Sequence, residues 1–244
     1  MNEASRAEVA VVAVAELFRG DGELLVSPMG LVPSLGARLA RLTFEPDLLL
    51  SDGEAHLLDG DGVLEGWQPF RKMLEVIVPH GRRHVVMGAN QIDRYGNQNI
   101  SAIGEHARPV KQLLGVRGAP GNTVNHRTSY WVPKHSSRVF VENVDVVSGV
   151  GYDSAAKAGP SAQRFHDVHR VVTNLGVFDF GGSDHAMRAV SLHPGVEAGE
   201  VAEATSFEVE LDSAGVTRQP SSEELRLIRD VLDPSGTRDR EVRP

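Results

Sequence analysis

The chain has 244 residues, 41% hydrophobic and 24% charged, with a formal net charge of −8. This is the composition of a soluble globular protein, and the length suffices for one large domain while allowing two; the acidic balance, with no basic run longer than Arg82-Arg83, argues against nucleic-acid binding. Having no cysteine, it can form no disulfide, thiolate metal site or cysteine nucleophile.

In chain order, Ala4–Phe18 reads as a helix rich in valine and closed by Gly20 and Gly22. Its apolar run is too short to cross a bilayer and lacks the flanks of a signal peptide, so a cytoplasmic protein without membrane contact is expected. Glu23–Val26 reads as a strand and Gly30–Leu42 as a helix, with Leu31, Leu35, Leu39 and Leu42 on one face. Asp47–Leu50 is the next strand. This β, α, β succession predicts a parallel sheet with right-handed crossovers. An Asp/Gly-rich loop follows, and Gly66–Val78 reads as a helix with Trp67 and Phe70 at a core or an interface. His84–Met87 and Val110–Leu114 read as strands, and Tyr95-Gly96-Asn97 as a turn. Tyr130–Val132 and Arg138–Val141 read as short β segments, and Ser148–Gly159 as a glycine-rich loop. Arg170–Thr173, Gly176–Phe180 and Met187–Leu192 form a β-rich block. Helices follow at Glu197–Thr205 and Ser222–Leu232, the latter capped by Ser221 or Ser222. Residues 1–232 read as a single domain and 233–244 as a flexible, frayed tail.

Two strands run directly into glycine and amide residues. His84–Met87 leads into Gly88, Asn90 and Gln91. Val110–Leu114 leads into Gly115, Gly118, Gly121 and Asn122. In open α/β sheets ligands lie at the carboxyl ends of strands. Glycine there admits close backbone approach, and amides offer donors and acceptors. The plainer reading is that such turns serve geometry. His166 and His169 lack an evident third metal ligand, and Asp52, Glu54, Asp59 and Asp61 lack the order of a calcium loop. Neither set is read as a metal site.

The string GANQIDRYGNQN, residues 88–99, resembles the signature of class I CoA-transferase β subunits, the glutaconate type being the nearest well-known relative. Gly115–Ala119, Arg138–Asp145, Val171–Phe180, and Leu192–Val196 followed by Val201–Phe207 resemble further motifs of that family in the same order. The resemblance covers roughly residues 5 to 232. It implies an α/β domain, with an open, mostly parallel sheet flanked by helices. It also implies pairing with a homologous α subunit, as an α2β2 heterotetramer, around a site that takes acyl-CoA thioesters. Coenzyme A would enter as part of the substrate, with no separate cofactor and no metal.

One departure from the family stands out. In the transferases a glutamate in an E-x-G motif attacks the thioester, which is covalent catalysis. Aligning on Gly53 puts Ser51 in its place, with Asp52 and Glu54 beside it. A shift of one residue at a strand end turns a side chain to the other face. With EGWQPFRKML (65–74), this resembles the β subunits of ring-cleaving hydrolases of bacterial steroid catabolism. The resemblance implies opening of the last steroid ring of a cyclic keto acyl-CoA thioester by water addition and retro-Claisen cleavage. The water-activating carboxylate would lie on the α subunit. Such chemistry needs fixed donors where negative charge develops, and a guanidinium for a substrate carboxylate. Arg127 and Asn90 are the candidate catalytic residues. Ser51, Gly88, Gln91, Gly115, Arg117, Gly118, Gly121, Asn122 and His126 are the candidate substrate or CoA contacts. Arg117 could take the place of Arg127, or face the CoA phosphates. A CoA-transferase β subunit with a displaced nucleophile and a non-catalytic stabilising subunit are the alternatives.

Overall fold

The computed structural model describes residues 3–52, 56–67 and 82–242. Helix α1 (Arg6–Ala15) begins at a reciprocal cap, in which the Ser5 hydroxyl accepts the Glu8 N–H and the Glu8 carboxylate accepts the Ser5 N–H. From Ala7 onward every residue of α1 is buried, and all but Glu8 are alanine or valine. These small side chains let a second helix come close. Strand β1 (Leu25–Pro28) leads into that helix, α2 (Leu31–Thr43). At Gly36 of α2 an added Cβ would fall 2.6 Å from Val14 Cγ1 and 3.0 Å from the Ala15 nitrogen. Glycine is what allows the crossing.

The chain continues through β2 (Leu49–Ser51), β3 (His56–Leu58), β4 (Leu64–Trp67) and β5 (Arg83–Gly88). Two small ribbons follow, β6 (Gln91–Ile92) with β7 (Gln98–Asn99), and β8 (Ala102–Ile103) with β9 (Lys111–Gln112). Helix α3 (Ala119–Asn125) leads back to β10 (Arg127–Val132). Helices α4 (Tyr152–Ala158) and α5 (Pro160–Gln163) precede β11 (Asp167–Thr173), β12 (Gly176–Asp179) and β13 (Arg188–Leu192). Then come α6 (Ala198–Glu203), β14 (Gly215–Val216) and α7 (Ser222–Arg226), which runs into a π-helical turn over Leu227–Leu232, and last α8 (Arg238–Glu241).

Ten of these strands form one sheet in the order β14-β13-β12-β11-β10-β5-β1-β2-β3-β4. Its centre, β11-β10-β5-β1-β2, is parallel. Antiparallel strands extend it on both sides. One sheet face, with Val26, Leu50, Val86, Trp131 and Val172, packs in the same cluster as α1 and α2. The other, with Val85, Met87, Tyr130, Val132 and Val171, packs with Ala119 of α3, Phe140 and Phe178. Among the described residues, no helix is long and apolar enough to cross a membrane.

Several expected elements differ. Val110–Leu114 is not a sheet strand: Lys111–Gln112 pairs in a ribbon, and Val110 and Leu114 are 87% and 71% exposed. An apolar run has the same pattern whether it faces a core or an outer surface. Arg138–Val141 contributes a single bridge, Phe140 to Ile92. The expected loop over Ser148–Gly159 contains α4, which starts after Gly151. Gly66 and Trp67 belong to β4, and the rest of the expected helix, 68–78, lies outside the described residues.

The described part of the expected tail, residues 233–242, is packed against the domain. Buried Glu8 accepts hydrogen bonds from Arg229 and Arg238, and Arg238 also bonds buried Asp233. Trp131 Nε1 donates to Glu241 at 2.6 Å. Burial opposes the Glu8 charge, but Arg229, the Ser5 N–H and Arg238 outweigh it and hold the carboxyl down at about 2.

Two outcomes follow from this packing. Gly36→Ala should cost about 1–3 kcal/mol, the usual range for an overpacked contact, read by urea unfolding. The Glu8 contribution to stability should be complete above its ordinary value of 4.5 and vanish as pH falls toward about 2. In Glu8→Gln that pH-dependent component should be missing from an acid-unfolding series.

Candidate active site

The carboxyl end of β2 places Ser51 beside the end of β1. The Ser51 hydroxyl donates to the Val26 carbonyl at 2.9 Å and lies 3.3 Å from the Ser27 hydroxyl. Ser27 Oγ accepts from Arg83 Nε at 2.8 Å, and Arg83 Nη1 donates to Asn122 Oδ1 at 3.0 Å. The Asn122 amide reaches back to Met87 Sδ at 3.3 Å. Thus β1, β2, β5 and α3 converge on one buried polar cluster: Ser51, Ser27, Arg83 and Asn122.

Arg83 is unusual within it. It is 3% exposed, and no carboxylate of the described residues lies within ion-pair distance. Its Nη2 has no hydrogen-bond partner. Burial pulls its pKa down to about 10. His126 is also buried, with Nε2 unpartnered. Burial, and then the Arg83 charge, push it down to about 4, so the ring is neutral at pH 7.

The segment after β5 is a self-bonded loop. The Gln91 amide donates to Asp145 and its oxygen accepts from Asn99, so Gln91 is spent inside the chain. Asp93 accepts the N–H groups of Tyr95 and Asn97 and the Asn97 amide. Gly96, at φ +83°, packs against Phe180, which a Cβ would strike at 2.8 Å. Gly88 and Asn90 are exposed. A Cβ on Gly88 would meet nothing nearer than the Trp131 carbonyl at 4.0 Å.

The lead into α3 carries Gly115 at φ +78° and exposed Arg117 at φ +47°, both in the left-handed region. Side-chain carbons built on Gly115 and Gly121 would meet nothing within 4 Å, and one on Gly118 would meet the Asn122 amide at 3.6 Å. In the same stretch Val110, Leu114 and Val116 are exposed apolar side chains.

Arg127 lies elsewhere. It pairs in register with His84, the neighbour of Arg83, so its side chain is on the opposite sheet face, and it sits at the amino end of β10. There it donates to Asp167 at 2.9 Å and to buried Asp21 at 3.0 Å. Asp21 is also hydrogen-bonded to buried His84 at 2.7 Å. His169 packs edge-on against His84, while His166 bonds the Val150 carbonyl. The structure thus groups Ser51, Asn122 and His126 and separates Arg127 from them. Sequence reasoning passed over Arg83. Extending the strand one residue back from His84 would have set Arg83 on the buried face of Val85 and Met87.

Arg127→Ala should lower unfolding stability by about 1–2 kcal/mol. That is less than the ~3–5 kcal/mol of a fully buried pair, because Arg127 is partly exposed. Chemical denaturation checks it, and a larger loss in Asp21→Ala would locate the buried partner.

No protein-family model matches the chain. Among curated proteins, it is 61% identical over 249 residues to the cholesterol ring-cleaving hydrolase IpdB subunit of Rhodococcus jostii (strain RHA1), covering 99% of this chain and 98% of that one. The crystal structure of Rhodococcus jostii RHA1 IpdAB superposes with a TM-score of 0.94 at 62% identity, covering all of both chains. Glutaconate coenzyme A-transferase from Acidaminococcus fermentans shares the fold alone, with a TM-score of 0.80 at 22% identity over 95% of each chain. The chain belongs to the family of the cholesterol ring-cleaving hydrolase IpdB subunit, on the CoA-transferase fold.

Proposed function

We propose that this chain is the β subunit of a heteromeric cytoplasmic hydrolase that opens the last steroid ring of a cyclic keto acyl-CoA thioester. The observation that carries the reading is Ser51. Its hydroxyl is buried and donated to the Val26 carbonyl, at the position where the transferases hold their attacking glutamate. Asp52 beside it accepts both the N–H of His56 and a bond with the His56 ring, so it is turned into the hairpin. Glu54 lies outside the described residues. With serine at that point and Asp52 engaged by His56, this reading forms no acyl anhydride on Ser51 or Asp52, and water supplies the oxygen.

In the reaction a carboxylate of the α subunit takes a proton from water as the hydroxyl adds to the ring ketone. The resulting alkoxide collapses, the adjacent C–C bond breaks, and its electron pair becomes an enolate that is then protonated. The products are a new carboxylic acid and an opened chain still joined to CoA. On this chain the open backbone at Gly88, Gly115 and Gly121 and the exposed amide of Asn90 suit contact with the thioester and pantetheine, and Arg117 suits the CoA phosphates. Gln91 and Asn122 hold the loops that carry these contacts. Arg127 is assigned to the fold, because its two carboxylate partners occupy its guanidinium. The exposed apolar side chains of Val110, Leu114 and Val116, with Trp67 at 67% exposure on β4, suit packing against an α subunit.

Two measurements test this reading. The purified complex with its α subunit should hydrolyse the cyclic thioester and give no borohydride-trapped adduct on this chain; CoA exchange between acids, with an adduct on Asp52 or Glu54, would establish a transferase instead. Leu114→Asp should lower subunit co-purification at least ~10-fold, as expected for a charge in the apolar core of an interface.

A further inference from the structure

We infer that Arg83 is an electrostatic positioning residue for this reaction: a fixed positive charge beneath the Ser51–Asn122 cluster that stabilises the anionic species formed above it. The inference rests on the hydrolase reading given above and adds a residue to it.

The argument begins with cost. A guanidinium removed from water without a carboxylate is expensive to bury, and an apolar side chain in its place would be cheaper. Arg83 receives little in return. Ser27 and Asn122 are neutral acceptors, and Nη2 bonds to nothing in the described chain. By contrast, the other deeply buried arginine among the described residues, Arg238, is paired with both Glu8 and Asp233.

The location gives the charge a use. Two hydrogen-bond links, through Ser27, separate the guanidinium from the Ser51 hydroxyl. A glutamate at residue 51 would bring a negative charge to that point; serine does not, so the local field stays one unit more positive. The retro-Claisen sequence passes through an alkoxide and then an enolate, both anionic. A buried charge is weakly screened, and it needs no reorganisation when the anion appears. Arg83 also helps keep His126 in its neutral form. Because the guanidinium is enclosed, it acts through this field and through the Asn122 side chain, without touching substrate.

The test uses the complex with its α subunit and compares Arg83→Lys with Arg83→Met. Charge retention in Arg83→Lys should keep kcat within about 3-fold of wild type. Arg83→Met should lower kcat by about 10-fold or more with KM changed less than about 3-fold, the pattern of a transition-state effect. The His126 ring, followed by NMR, should titrate near about 4 in wild type and move upward in Arg83→Met. If Arg83→Met fails to assemble, Ser27→Asp neutralises the guanidinium in place and should give the same loss of kcat and the same upward move. Equal losses in Arg83→Lys and Arg83→Met, or a wild-type kcat in a folded Arg83→Met or Ser27→Asp complex, would overturn the inference. A wild-type complex without ring-opening activity would instead overturn the hydrolase reading, while the His126 titration would still report whether the charge is felt.

Discussion

The alternation of side chains along β5 is the constraint on which the rest of the molecule turns. Arg83 and His84 are neighbours, so they must point to opposite faces of the central sheet. β5 lies between β1 and β10 in parallel register, and each face therefore receives one charged or titratable group in its interior. On the α1 face His84 is satisfied by Asp21 and Ser129, and Asp21 in turn holds Arg127. On the α3 face Arg83 meets, among the described residues, only hydroxyl and amide oxygens. The same strand thus builds a compensated ionic cluster on one side and an uncompensated charge on the other.

On the proposed reading, this division separates stability from chemistry. The α1 face carries the tight α1–α2 crossing, and the Glu8–Arg238–Asp233 network ties the last helix to the first. The α3 face opens toward the loops after β5 and before α3. The loop after β5 is cross-linked by its polar side chains: Gln91 to Asn99 and Asp145, Asp93 to Asn97, and Asn97 onward to the Gly151 N–H and to Asp153. Much of the family signature in residues 88–99 is accordingly loop architecture, and its exposed members, Gly88 and Asn90, are the ones available to a ligand. A positive charge below such a frame suits a reaction whose intermediates are anions.

The sequence by itself determined the parallel α/β class, because apolar runs alternated with helical periodicity at short spacing. It also narrowed the cap of the Ser222–Leu232 helix to Ser221 or Ser222, and the structure chose Ser221 with Glu224; the serine at residue 51, where the resembled transferases carry glutamate, is likewise a matter of residue identity at a fixed offset from Gly53. It could not separate a buried apolar run from an exposed one. Val110–Leu114 shows this, for its pattern is that of a strand while its side chains face outward. Nor could it tell that Arg127 belongs to the ionic cluster. That depends on Asp21 and Asp167, which are far away in the chain and meet it only through sheet register. The role of Arg83 was decided in the same way. A local reading gives an arginine at a strand edge, whereas its burial, its want of a carboxylate and its place behind Ser51 arise when β1, β2 and α3 close around it. Helix capping and helical periodicity act between near neighbours and can be read along the chain; charge compensation acts through space, and tertiary contact alone decides which charges find a partner.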